Sequence, residues 1–99
     1  MSQYRIYITS EALAEIKDLP GNIRQRVRQS IVDLATRPNP SHCKRLQFPN
    51  PDHQLYRLRL ENWRVIYAIT EDDMTIDVLA IRKRPPHDYG DLVQLLDVF

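Results

Sequence analysis

The chain has 99 residues, 42% of them hydrophobic, with a formal net charge of +1 and one cysteine. That length fits one domain with its own core, so a single domain over residues 1–99 is expected. Cys43 alone excludes an internal disulfide framework, no zinc-ligand spacing surrounds it, and no apolar run approaches the ~18 residues of a membrane span. The N-terminal MSQYRIYIT has no signal-peptide pattern, and a soluble cytoplasmic protein is the expectation.

Tyr4, Ile6 and Ile8 alternate with Arg5 and Tyr7, which predicts a first strand. Thr9 and Ser10 offer an N-cap to a short helix with Ala12, Ile16 and Leu19 on one stripe. Pro20-Gly21 stops it. Asn22, with Gln25 three residues on, predicts a capping box at the start of a second helix. Its apolar stripe is Ile23, Val27, Ile31 and Leu34, and Arg24, Arg26, Arg28 and Arg37 lie off it. Pro38 and Pro40 end this helix. Residues 41–53 read as loop, anchored by Leu46 and Phe48.

The stretch from Leu55 to Tyr67 is the most informative part. Two alternating runs flank Glu61-Asn62, the pattern of a β-hairpin. With those two residues as the loop, Leu60 lies opposite Trp63, Arg59 opposite Arg64, and Leu58 opposite Val65. Residues directly across a hairpin share a face. One face is then Tyr56, Leu58, Leu60, Trp63, Val65, Tyr67 and Ile69, suited to a core. The other carries Arg57, Arg59 and Arg64, with Ile66 and Ala68 further along. Opposed like charges are destabilising. A fold that tolerates them offers the cluster to an anion, and phosphate is the natural candidate.

Glu71-Asp72-Asp73 reads as an acidic turn. Residues Met74 to Arg82 predict a strand, apolar on both parities at Val78-Leu79-Ala80-Ile81 as a central strand would be. Pro85-Pro86 ends it. Leu92, Leu95, Leu96 and Phe99 have the spacing of a short C-terminal helix. The order β-α-α-β-β-β, with that optional helix, predicts an α+β domain. Two helices cover one face of a mostly antiparallel sheet, and the arginine face stays open.

The near-neutral total conceals a local imbalance. Lys44, Arg45, Arg57, Arg59 and Arg64 face only Asp52 and Glu61 in sequence, and Arg82, Lys83 and Arg84 follow. Such a patch can be the footprint of phosphate or RNA binding. Arg84 ends the last strand before two prolines; Arg82 or Lys83 could point the same way. His87 and Tyr89 come next; taken alone, an exposed imidazole and a ring packed at a helix start account for them better than catalysis does. Nothing in the sequence calls for a metal or a cofactor.

Several segments follow one another in a specific order. Ile23-Arg24-Gln25-Arg26-Val27 leads into Leu34-Ala35-Thr36-Arg37-Pro38, then Leu46. Tyr56-Arg57-Leu58-Arg59-Leu60 and Trp63-Arg64-Val65-Ile66-Tyr67 come after, then Val78-Leu79-Ala80-Ile81-Arg82-Lys83-Arg84 and Tyr89. Over nearly its whole length the chain resembles the RelE/ParE superfamily of bacterial type II toxin–antitoxin toxins. The RelE branch implies cleavage of mRNA in the ribosomal A site, without metal, by a toxin restrained by its cognate antitoxin in a hetero-oligomer. By position, the resemblance puts the active site on Arg57, Arg59, Arg64, Arg84 and Tyr89. The best-known members have lysines at the first two of these positions. Arginine holds its proton at physiological pH, so charge stabilisation carries over more directly than proton transfer. Tyr89 and His87 remain as proton-transfer candidates. The ParE branch implies instead inhibition of DNA gyrase by binding, and an inactive antitoxin-binding remnant is a third alternative.

Overall fold

A computed structural model describes residues 3–46 and 54–83 of the chain. In chain order the elements are β1 (Arg5–Ile8), α1 (Ser10–Lys17), α2 (Gly21–Leu34), β2 (Cys43–Leu46), β3 (Gln54–Leu60), β4 (Trp63–Thr70) and β5 (Thr75–Lys83). The strands form one sheet in the order β1-β5-β4-β3-β2. β1 runs parallel to β5; the other neighbours are antiparallel. The fold is α+β, with a mixed, mostly antiparallel sheet. The expected C-terminal helix lies outside the described residues.

Thr9 caps α1, its side chain accepting from the Ala12 N–H at 3.2 Å. α2 starts differently from the expectation. Pro20 occupies its N-cap, without a side-chain bond, and Asn22 already lies inside the helix. Proline's ring presets φ, here −54°, and its carbonyl accepts the Arg24 N–H at 2.8 Å, so the cap lies two residues before the expected one and the helix opens at Gly21. Ala12, Ile16, Leu19, Ile23, Val27, Ile31 and Leu34 are all buried, as the helical spacing predicts. They pack with Leu58, Val65, Tyr67, Ile69, Ile76, Val78 and Ile81 of the sheet. Each such aliphatic side chain contributes roughly 1.5–3 kcal/mol on burial, which holds helices that would be marginal alone.

The hairpin has the predicted register, with Leu60 against Trp63, Arg59 against Arg64 and Leu58 against Val65. Two expectations change. Residues Cys43–Leu46, read as loop, form edge strand β2 against β3, so the order gains a strand. Exposed Lys44 and Arg45 sit between half-buried Cys43 and Leu46, a pattern without apolar alternation. Charged side chains of this kind guard sheet edges, and they mask the strand in the sequence. The helix-free face is also only partly open. Leu55, Ile66, Ala68, Leu79 and Ala80 are buried there as a second cluster, with Leu46 packed against it. A register shift between Ile66 and Tyr67, paired with Ala80 and Val78, leaves Leu79 as an extra residue. That bulge explains why β5 is apolar on both parities: it brings consecutive Leu79 and Ala80 into one cluster.

Candidate functional site

The sheet register builds a basic row. Arg59 on β3 lies opposite Arg64 on β4, which lies opposite Arg82 on β5. One row along, Lys44 lies opposite Arg57, itself opposite Ile66. Strand alternation puts all five basic residues on the helix-free side. Arg45 lies opposite Tyr56 and Lys83 opposite Trp63, so these two belong to the other face. There the Lys83 Nζ sits 5.9 Å from the Trp63 ring centroid, a cation–π distance. Of the residues expected at the site, Lys44, Arg57, Arg59, Arg64 and Arg82 are thus brought together. Arg84, His87 and Tyr89 lie outside the described residues.

The arginines of the row differ in setting. Arg59 is exposed, whereas Arg64 is only 5% exposed. Its Nη1 donates to the carbonyls of Glu61 and Trp63, each at 2.8 Å. The guanidinium therefore folds back over its own hairpin turn. That turn is strained: Glu61 adopts φ 55°, a left-handed conformation that costs an ordinary residue ~1–2 kcal/mol. Arg57 is half-buried, and its Nε has no hydrogen-bond partner among the described residues. Arg82 approaches Glu15 of α1, Nη1 to Oε2 at 3.7 Å, while Glu15 Oε1 accepts the Ile81 N–H at 3.0 Å. Sequence reasoning missed Glu15. It flanks the apolar stripe of a short helix and lies 66 residues from Ile81, so no local pattern signals the contact.

Tyr67, expected only as a core residue, anchors the underside of the site. Its hydroxyl donates to the Pro38 carbonyl at 2.8 Å, and its ring stacks on Tyr56 at 5.6 Å. Burial first, then the neighbouring Cys43 thiol, raises its pKa well above the usual phenol value. Tyr67 stays neutral and is no base. A surface depression of about 540 Å³, lined by Gln25, Arg26, Arg28, Gln29 and Val32, lies on α2 and includes none of the row. A flat sheet face needs no cavity to bind a polyanion. Arginine forks supply several N–H donors to phosphate oxygens but no proton acceptor.

No described helix is long and apolar enough to cross a membrane. The family described as ParE toxin of type II toxin–antitoxin system, parDE, matches residues 6–85. A protein provisionally described as toxin RelE1 of Methanocaldococcus jannaschii is 27% identical over 82 residues, covering 83% of this chain and 91% of the relative. The fold also matches the toxin chain of the archaeal RelE–RelB complex from Pyrococcus horikoshii OT3. The TM-score is 0.76 and the identity 28%, over 88% of this chain and all (100%) of the other. The toxin–antitoxin complex RelBE2 from Mycobacterium tuberculosis gives a TM-score of 0.70 at 24% identity, over 85% of this chain and 94% of the other, a likeness of fold. With the family match spanning most of the chain, this protein is a RelE-like toxin and belongs to the RelE/ParE superfamily of type II toxin–antitoxin toxins.

Proposed function

We propose that this toxin is a ribosome-dependent endoribonuclease that cuts mRNA in the A site and arrests translation in the cytoplasm. Its cognate antitoxin holds it inactive in a hetero-oligomer; the archaeal RelE relative crystallises in complex with RelB. The observation that carries this reading is the register of Arg59, Arg64 and Arg82 across three strands, with Arg57 and Lys44 alongside. A row of opposed cations costs stability unless it meets an anion. In the proposed reaction a ribose 2′-hydroxyl attacks the adjacent phosphorus and the P–O5′ bond breaks, leaving a 2′,3′-cyclic phosphate and a 5′-oxygen that takes a proton from water to become a hydroxyl. Arg57, Arg59, Arg64 and Arg84 stabilise the negative charge that grows on the phosphoryl oxygens. Tyr89 takes the 2′-hydroxyl proton as a phenolate favoured by nearby guanidiniums, with His87 as the alternative. Lys44 and Arg82 extend the RNA contact on the same face, and Arg82, opposite Arg64, also meets the charge that grows on the reacting phosphate; Arg45 and Lys83 serve strands that reach round the sheet. The steps require no metal or cofactor.

The match to the ParE family favours a second reading, gyrase inhibition by binding. Purified toxin assayed on mRNA-programmed ribosomes, on the same mRNA alone and on gyrase supercoiling separates the readings. Cutting that requires the ribosome, with supercoiling unaffected, is the expected result. Blocked supercoiling without RNA cleavage would transfer the protein to the ParE activity. Neither effect would leave an antitoxin-binding remnant.

A further inference from the structure

We propose that Glu15 of α1 is a positioning residue for the arginine row, acting through Arg82. The inference rests on the nuclease reading and extends it to a helix on the other side of the sheet. β1 pairs with β5 through Val78, where the Thr9 N–H donates to the Val78 carbonyl at 3.1 Å. Thr9 then donates its hydroxyl to the Leu79 carbonyl at 3.3 Å while capping α1. Beyond this point β1 has ended, and α1 takes over along the edge of β5. Glu15 Oε1 accepts the Ile81 N–H at 3.0 Å, as a strand carbonyl would. Its Oε2 lies 3.7 Å from the Arg82 guanidinium. One carboxylate thus meets both the backbone leading to the outer arginine, through a hydrogen bond, and the arginine's charged head, through a longer ion pair. Neither group is fully exposed, with side-chain exposures of 31% and 22%, so solvent screens the pair only in part. A negative charge here also offsets the crowding of Arg64 and Arg82 across β4 and β5.

The isostere separates this role from plain support. Glu15→Gln keeps an oxygen for the Ile81 N–H and deletes the charge facing Arg82. Glu15→Ala deletes both. In single-turnover cleavage on programmed ribosomes, Glu15→Gln should cut about tenfold more slowly at saturation, since sub-ångström misplacement of a charge donor is costly. Its half-saturating ribosome concentration should stay within about twofold of wild type. Arg82→Ala should lose roughly a hundredfold, and adding Glu15→Gln to it should change nothing further. A wild-type rate in Glu15→Gln, or losses that multiply in the double variant, overturns the proposal and leaves Glu15 as a backbone support. A wild-type protein that cuts nothing instead overturns the nuclease reading. Arg82 positioning is then decided by the exchange rate of its Nη–H protons, the ones that face Glu15, in the toxin bound to its antitoxin. Exchange about tenfold faster in Glu15→Gln supports the proposal, and unchanged exchange overturns it.

Discussion

Arg59 and Arg64 face each other across the hairpin, yet they meet different surroundings. Arg59 is exposed, while Arg64 is buried with its Nη1 on two turn carbonyls. Arg59→Ala should therefore leave stability within about 0.5 kcal/mol, because it deletes one of two opposed like charges at the surface. Arg64→Ala leaves the Glu61 and Trp63 carbonyls short of a donor and should cost roughly 1–3 kcal/mol. Both should lose about a hundredfold or more in mRNA cleavage. Urea melts beside cleavage rates check this, and equal destabilisation by the two variants would contradict the burial difference. Tyr67 gives a pH signature. The unfolded phenol ionises near 10, whereas the native one, desolvated beneath the sheet, ionises at higher pH. Above about pH 10 the unfolded chain releases a proton that the native protein keeps. Stability thus falls there by up to ~1.4 kcal/mol per pH unit from this group. Tyr67→Phe should cost about 1 kcal/mol at neutral pH through the lost bond to Pro38, and should remove that part of the alkaline slope. An unchanged slope between about pH 10 and 11 in Tyr67→Phe would show that the phenol is not held neutral.

At the level of elements, the β3–β4 hairpin carries the site and also a local strain. Glu61 holds a positive φ, and its surface ion pair to Arg26 at 2.9 Å offsets part of that strain. Glycine adopts the conformation without penalty, and an exposed pair is worth little. Glu61→Gly should stabilise the fold by about 0.5–1 kcal/mol, read as a higher urea midpoint; a lower midpoint would show that the Arg26 pair outweighs the strain. The hairpin is legible in the sequence because period-two alternation around a two-residue loop fixes register and face together. The same alternation makes the Arg59 and Arg64 pairing legible. The helix stripes are legible because every member is buried. β2 is not, because an edge strand with outward Lys44 and Arg45 lacks an apolar face. Nor is the start of α2, where Pro20 outcompetes a better side-chain cap. Arg82 and Lys83 cannot be told apart from sequence. The β4–β5 ladder separates them, putting Arg82 with the row and Lys83 on Trp63. Glu15 is invisible in the sequence because its partners are set by the parallel β1–β5 pairing, a contact between distant parts of the chain.

Across the whole molecule, the two sides of the sheet divide the labour. One side holds both helices over the main core. The other combines a small apolar cluster with the basic row. Net charge hides this division, because the acids gather in the β4–β5 turn and elsewhere while the cations align across strands. In the proposed function one charged face meets RNA while the helices buttress the sheet from behind. The most direct test expresses the toxin in growing cells and maps mRNA 5′ ends with translation running and with initiation blocked. New 5′ ends within reading frames should appear while ribosomes translate, vanish when initiation is blocked, and fail to form with the Arg59→Ala/Arg64→Ala variant. Growth arrest with no new 5′ ends, or cleavage that persists in the double variant, would contradict a ribosome-dependent nuclease built on this arginine row.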